Sequence, residues 1–433
     1  MFERIDMPAL EQELIALRRE FHRYPETGWT ELRTSVRIIE ELEKLGVPVQ
    51  YGHGIHVAEK RYAVPSDEVL EQHRLRALEE TGRADLVNAM AGGFTGCVAY
   101  IEGALPGPTV ALRVDIDCNQ LQESIDPAHI PAAEGFRSVH EGCMHACGHD
   151  AHAAIGIGAA KLLWAYRDQL RGRVVLVFQP GEEGLQGSAS LVAAGHFDDV
   201  DQLFGLHVGL RSNPVGMAAA GVHGFLASKK MQVTFLGKAA HAGASPDVGR
   251  NALAAGATAA LNLLAIPRHH AGTSRVNVGT FHSGTGYNVI PAKAELGVET
   301  RGATAAVGEF MDESAQRICR AAAEMHGCGC EIRFLGAAGT AECDAALVQW
   351  TAQRLAEVEG ITQVQDDFDF GASEDITNMM RVVQAHGGEA TEVIIGMPLI
   401  APHHNDRFDI REEVIGIGAR ALAHLAMRAA DKK

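Results

Sequence analysis

Between positions 144 and 152 the chain reads Met144-His145-Ala146-Cys147-Gly148-His149-Asp150-Ala151-His152: three histidines, a cysteine and an aspartate in one short run. Imidazole, thiolate and carboxylate are the donors that borderline divalent cations take, and a helix N-terminus, which this run precedes, lowers a thiol pKa. So many donors cannot all reach one ion. Cys147 and His149, separated by one glycine, can both do so from an extended turn, which leaves His145 and His152 to point elsewhere. Three further clusters share this chemistry. Gln179-Pro180-Gly181-Glu182-Glu183-Gly184 offers two adjacent carboxylates whose side chains diverge, so one can hold a cation while the other serves the attacking water as general base. His207 closes the run LFGLHV, and His403-His404 follow the run TEVIIGM. Each cluster taken singly has a plain structural explanation: a capped helix, a solvated turn, a hydrogen-bonded histidine. One donor from each later cluster, added to Cys147 and His149, makes five, more than the three or four of a mononuclear site. The surplus points to two cations bridged by water, about 3.5–4 Å apart. Cys328 and Cys330 have no second cysteine pair beside them and read as ordinary strand residues.

Donors this far apart in sequence meet only if strand ends gather them. The first fifty residues pattern as amphipathic helices around 8–24 and 31–46, the second stopped by Gly46 and Pro48. Residues 64–90 are charge-rich and helix-favouring and look like an inserted excursion. Apolar runs at 96–102 and 109–114, a helical stretch at 151–168, the buried-strand pattern RVVLVFQP at 173–180, a helix near 187–195 and a strand at 201–208 then alternate. Alternation of this kind predicts an α/β domain, a mainly parallel sheet with helices on both faces, whose C-terminal strand edges are where open sheets place ligands. From Lys229 the order becomes strand, helix (251–265), strand, strand, helix (304–326), strand, which is the β-α-β-β-α-β ferredoxin-like unit. The chain then returns to helix and strand, with a strand at 391–397 and a final helix at 412–428. The expected organisation is a metal-binding catalytic domain of residues 1–224 and 338–433, carrying the 64–90 insertion, interrupted by a small lid or dimerisation domain of residues 225–337.

Composition removes whole classes of function. The chain has 433 residues, 46% hydrophobic and 21% charged, with 38 basic and 55 acidic residues for a net −17. That field repels phosphate backbones and anionic lipid heads, so neither nucleic acid nor membrane is the expected partner. No run approaches the length of a membrane helix, and MFERIDMPALEQEL puts acids where a signal peptide would put a basic end. A cytoplasmic location is expected, and eight cysteines in such a chain read as thiols rather than a disulfide framework.

MHACGHDAH, QPGEEG, GLHV, GKAAHAGASP, GTGYNVIPAKAEL, ETRG, GASED and HHNDRFD, in this order, resemble the successive motifs of the M20 metallopeptidases. The likeness is to the amidohydrolase branch of hippurate, N-acyl-amino-acid and auxin-conjugate hydrolases. The 64–90 insertion with AGGFTG, SRVNVG and VETRGA narrows it to members acting on aminobenzoyl-glutamate. Two departures stand out: QPGEEG replaces the common QPAEEG, which should loosen the turn, and Cys118-Asn119 replaces the usual Ala-Leu after RVDID.

The resemblance implies two divalent metal ions per subunit, zinc or manganese, held by Cys147, His149, Glu183, His207 and His404, with Glu182 as general base. It selects His404 over His403 because the family places an aromatic four residues after this ligand, where Phe408 stands. It implies that His241 stabilises the carbonyl oxygen of a substrate held by the partner subunit, that Asn288 and Arg301 hold the substrate carboxylate, and that Asp115 orients a ligand histidine. Without the resemblance, Asp115 reads as a strand-end aspartate capping the next turn. The implied reaction is hydrolysis of a small N-acyl amino acid, aromatic in its acyl half and glutamate in the other, by a homodimer or a heterodimer with a related subunit. The alternatives are an indoleacetyl-aspartate or hippurate-type hydrolase, or a non-catalytic ligand-binding subunit.

Overall fold

The computed structural model describes residues 2–432. Two compact units emerge: Met1–His223 with Ala341–Phe370 and Asp375–Lys433, and Gly224–Thr340 with Gly371–Glu374. In chain order the strands are β1 Val49–Tyr51, β2 Cys97–Glu102, β3 Leu105–Asp115, β4 Arg171–Gln179, β5 Gln202–Ser212, β6 Met217–Ala219 and β7 Val222–His223. They continue as β8 Ala227–Leu236, β9 Ser274–Ser283, β10 Lys293–Gly302, β11 Gly329–Ala338, β12 Gln363–Gln365, β13 Phe368–Asp369 and β14 Glu389–Met397.

The large unit is built on one sheet of order β1-β2-β4-β3-β5-β14-β6-β12. Its middle, β4-β3-β5-β14, is parallel, whereas β1 and β2 on one side and the β14-β6 pair on the other are antiparallel. A central parallel strand has both faces covered, which is why Val174 to Phe178 of β4 form an unbroken, fully buried apolar run. The flanking strands β1, β6 and β12 are three residues each, too short to carry a readable alternation. Helix His149–Ala165 packs against Glu413–Arg428 and Met7–Arg23. All of its residues from His149 to Ala160 are buried, so it shows no polar face. The inserted stretch forms helices Asp67–Thr81 and Ala84–Ala89, the first capped by the Ser66 side chain accepting from Val69 N–H.

β5 differs from its sequence reading. It runs on past His207, and its pairing with β14 slips between Val208↔Ile395 and Ser212↔Met397. Gly209 and Leu210 at φ 76° and 66° make this bulge, which turns the chain beside His207.

The small unit has a four-stranded antiparallel sheet of order β11-β8-β10-β9, the ferredoxin-like arrangement. Helices Ala252–Leu264 and Ala305–Met325 contribute Ala255, Ala259, Leu263, Met311, Ala315 and Cys319 to one core with Met231, Val233, Phe235, Leu296 and Val298 of the sheet. Leu226 N–H donates to the Ala372 carbonyl at 2.9 Å, tying Gly371–Glu374 into this unit, although the expected boundaries placed that tetrapeptide in the catalytic domain. Among the described residues no helix is long and apolar enough to cross a membrane.

Candidate metal centre

β3 and β4 end opposite each other, Asp115 against Gln179, so RVDID and QPGEEG leave the sheet side by side. Asp117 then ties the glutamate turn, Oδ1 accepting from Glu182 N–H at 3.0 Å and Oδ2 from Glu183 N–H at 3.1 Å. Glu31 accepts from Gly181 N–H at 2.9 Å and from the Thr95 hydroxyl at 2.7 Å. Gly181 takes φ 65°, so the glycine expected to loosen this turn instead permits its left-handed step, and two buried carboxylates pin it. On the neighbouring loop Asn119 and Met144 exchange backbone hydrogen bonds, and Asn119 Oδ1 accepts from Ala146 N–H at 3.2 Å. Gly148 at φ 95° redirects the chain between Cys147 and the helix that begins at His149, and a Cβ there would lie 2.7 Å from Val208 Cγ2. His404 N–H donates to the Ala146 carbonyl at 2.8 Å, drawing in the loop that follows β14.

These constraints bring the five expected donors together. The ligating atoms of Cys147, His149 and His207 lie within 4.8 Å of one another, as do those of Cys147, Glu183 and His404, so the thiol belongs to both triplets. Cys147 Sγ is 3.6 Å from His207 Nε2, and His404 Nε2 is 3.3 Å from Glu183 Oε2. His149 Nε2 stands 3.9 Å from both Glu182 Oε2 and Glu183 Oε1.

Backbone hydrogen bonds sort the histidines by tautomer. His149 Nδ1 donates to the Asp117 carbonyl at 3.0 Å and His207 Nδ1 to the Val208 carbonyl at 2.8 Å, so each turns the Nε2 lone pair towards Cys147 and the carboxylates. His152 and His403 are held the other way round. Each Nε2 accepts a backbone N–H, from Val208 at 3.0 Å and Leu210 at 2.9 Å, which puts the proton on Nδ1. The His152 proton goes to Asp115 Oδ1 at 2.5 Å, and the His403 proton points at Cys147 Sγ at 3.4 Å. Asp115 therefore hydrogen-bonds His152 and not a histidine of the five-donor set, its distance to His149 Nε2 being 3.6 Å. Phe408 packs against His403 with the rings tilted by 46°, centroids 4.6 Å apart. His145 is buried with neither nitrogen hydrogen-bonded, and burial pushes its pKa down to about 3.

The cluster fits cations. His149 Nε2 is buried and has no hydrogen-bond partner. Burial and the Glu183 carboxylate push the Cys147 thiol up, a cost that coordination to a cation reverses. Hydrogen bonds to Cys147 and Glu183 raise His404 to about 10, so this pair calls for positive charge between its members. Burial alone would raise Asp115, but His149, Arg113 and His152 carry it well below the usual carboxylate range. Behind it, wholly buried Arg113 donates to Asp115 Oδ2 at 2.7 Å, to Gln179 Oε1 at 2.9 Å and to Asp375 Oδ1 at 3.3 Å. A second buried triplet, His22, Glu123 and His129, is consumed internally, since His22 bonds Asp150 at 2.8 Å and Glu123 at 2.9 Å and keeps no lone pair for a metal.

Sequence reasoning passed over Asp117 and Arg113, and it named His152 and His403 without giving either a role. The second aspartate of RVDID was the available signal for the first; the other three show themselves only through partners distant in the chain.

His241, Asn288 and Arg301 lie in the small unit, and the structure separates them. His241 pairs with Val289 beyond the β8 and β10 ends, where Ala242 N–H donates to the Asn288 carbonyl at 2.9 Å. Arg301 sits at the far end of β10, eight residues past Lys293, which at about 3.3 Å per residue is roughly 26 Å away. Asn288 and Arg301 of one chain therefore do not meet on one carboxylate.

The sequence profile of Peptidase family M20/M25/M40 matches residues 111–428. The chain is 42% identical to one of the subunits of p-aminobenzoyl-glutamate hydrolase from Escherichia coli (strain K12), over 97% of this chain and 96% of that protein. It is also 42% identical to indole-3-acetyl-aspartic acid hydrolase of Enterobacter agglomerans, over 96% and 95%. The crystal structure of the aminobenzoyl-glutamate utilization protein from Klebsiella pneumoniae superposes with a TM-score of 0.83 at 37% identity, covering 98% of this chain and 97% of that one. The chain belongs to the M20 peptidase family and is a metal-dependent amidohydrolase.

Proposed function

We propose that the protein hydrolyses the amide between an aromatic acyl group and an acidic amino acid, aminobenzoyl-glutamate being the first candidate. The observation that carries this is the convergence of Cys147, His149, Glu183, His207 and His404 beside Glu182. Cys147 is the donor common to both triplets and would be shared by two divalent cations, one also held by His149 and His207, the other by Glu183 and His404. Cations bound there would polarise the scissile carbonyl and bring the pKa of water from 15.7 towards about 7.

Glu182 does the proton work. Its backbone is fixed by Asp117, and its carboxylate faces the same space as His149 Nε2, so it can take the proton of the attacking water. The carboxyl then returns that proton to the departing nitrogen as the tetrahedral intermediate collapses. Across the substrate, His241 would donate to the oxyanion, a contribution of about 2.7–4 kcal/mol for donors of this kind. Arg301 suits the α-carboxylate by bidentate hydrogen bonding.

The distance along β10 between Arg301 and the His241–Asn288 corner favours a site completed by a second subunit, with His241 and Asn288 coming from the partner. A surface for it is at hand: helix Ala252–Leu264 exposes Leu253, Leu261 and Leu264 at 41%, 72% and 59%, next to β9, an edge strand. A homodimer is the simpler assembly. The Escherichia coli relative is named as one subunit of its hydrolase, which keeps a heterodimer as the second reading. All eight cysteines are free, in keeping with a reducing, cytoplasmic setting. Zinc and manganese are the candidate metals.

The indoleacetyl-aspartate relative, equal in identity, supports a second substrate reading that keeps the chemistry and changes the acyl half. Steady-state kinetics of the metal-loaded chain on aminobenzoyl-glutamate, indoleacetyl-aspartate and hippurate decide between them. A chain inactive alone and rescued by a second subunit would favour the non-catalytic reading.

A further inference from the structure

The strand SRVNVG has one residue that the reaction above leaves unused. In the antiparallel β9-β10 pair, Arg275 is the direct partner of Arg301, with Ser274 opposite Gly302 and Val276 opposite Thr300. Directly opposed residues share a face of the sheet, their Cβ atoms about 5 Å apart. Along β10, Leu296, Val298, Thr300 and Gly302 are buried, whereas Glu295, Gly297, Glu299 and Arg301 look the other way. Both guanidinium groups therefore stand on the face that does not pack against the helices, and Arg275 is exposed.

Two like charges directly opposed across a ladder are destabilising, and an exposed site gives no packing reason to keep them. One carboxylate serves the pair within the fold: Arg301 Nη2 donates to Glu299 Oε1 at 3.0 Å. Arg275 makes one hydrogen bond, from Nη1 to the Ser274 carbonyl at 2.9 Å, and no ion pair among the described residues. A guanidinium fork beside a second fork, short of a counter-charge, fits a ligand with two carboxylates. Aspartate and glutamate carry theirs three or four C–C bonds apart, a span on the order of 4–5 Å that matches the spacing of the opposed Cβ atoms. Neutral amino acids have only the first carboxylate.

We propose that Arg275 is a specificity-determining residue, binding the side-chain carboxylate of the amino-acid half while Arg301 binds its α-carboxylate. The assignment rests on the reaction proposed above, and two relatives named for different acyl groups are both named for an acidic amino acid. Arg275 thus selects N-acyl aspartates and glutamates over their amides and over neutral residues, whatever the acyl group.

The test is kcat/KM of the metal-loaded full chain on aminobenzoyl-glutamate and on its near-isosteric amide, aminobenzoyl-glutamine. Wild type should prefer the glutamate. Arg275→Ala should lose roughly 100-fold on the glutamate with little change on the glutamine, so that the preference collapses, and Arg275→Lys should restore part of it. The thermal midpoint of Arg275→Ala should not fall, because removing an opposed like charge relieves repulsion. Hydrolysis with an unchanged glutamate-to-glutamine ratio in Arg275→Ala overturns the assignment and leaves the reaction standing. A wild-type chain that cleaves no N-acyl amino acid overturns both.

Discussion

His403 gives the sharpest test of how the metal centre is built. Its Nε2 is occupied by Leu210 N–H at 2.9 Å, so its only proton sits on Nδ1 and faces Cys147 Sγ at 3.4 Å. By this geometry His403 would act as a positioning residue that donates to the sulfur, while the neighbouring His404 would supply the lone pair to a bound cation. His403→Phe keeps a ring against Phe408 but removes the donor and strands the Leu210 N–H. A hydrogen bond to a charged group contributes about 1.5–3 kcal/mol, so metal dissociation constants should rise roughly 10- to 150-fold. Chelator competition on the Co(II)-substituted chain measures this, and the thiolate-to-cobalt charge-transfer band should move as the sulfur loses its donor. His403→Gln, whose amide can both accept from Leu210 and donate to sulfur, should recover part of the affinity. An unchanged affinity and band in His403→Phe would refute the tautomer argument. A fall in stoichiometry from two ions per chain to one would refute it differently, by making His403 a ligand.

Glu182→Ala should abolish turnover while leaving metal content intact by elemental analysis; retained activity with lost metal would reverse the roles given to the two glutamates. Asp117→Asn replaces one of the two carboxylate oxygens that hold Glu182 and Glu183 N–H, and should weaken metal binding about 10- to 100-fold by titration calorimetry, as expected for groups that orient ligands. Gly148→Ala forces a Cβ onto a left-handed residue and against Val208, so denaturant unfolding should show a loss of about 2–4 kcal/mol. Burial and Arg18 lower the pKa of His22, but its hydrogen bonds to Asp150 and Glu123 outweigh them and raise it to about 9. The sign follows from linkage: its stabilisation is fully present below about pH 6.5 and is lost as pH rises through about 9. Wild type minus His22→Gln, measured by urea unfolding across that window, should shrink by up to about 3 kcal/mol, and a flat difference would contradict the assignment.

Much of this molecule was legible before its fold. Apolar alternation and run length placed the buried strand Arg171–Gln179 and the four-stranded unit between Ala227 and Ala338, because periodicity reports which face of an element meets a core. Donor type and strand-end position singled out Cys147, His149, the Glu182–Glu183 pair and His207, since few residues offer lone pairs to a cation. Composition alone left open which of His403 and His404 and which of the two glutamates does which task; the motif resemblance chose, and side-chain chemistry cannot, because neighbours in sequence are chemically identical.

Tertiary structure decided what depends on partners far along the chain. Val208 N–H fixes the tautomer of His152, Leu210 N–H that of His403 and the Asp117 carbonyl that of His149, and none of these pairings leaves a trace in local pattern. The same holds for the opposition of Arg275 to Arg301, set by strand register, and for the distance that keeps Asn288 from Arg301, set by the length of β10. Periodicity fixes which way a side chain faces, whereas what it faces is settled only when the backbone closes through contacts between distant segments.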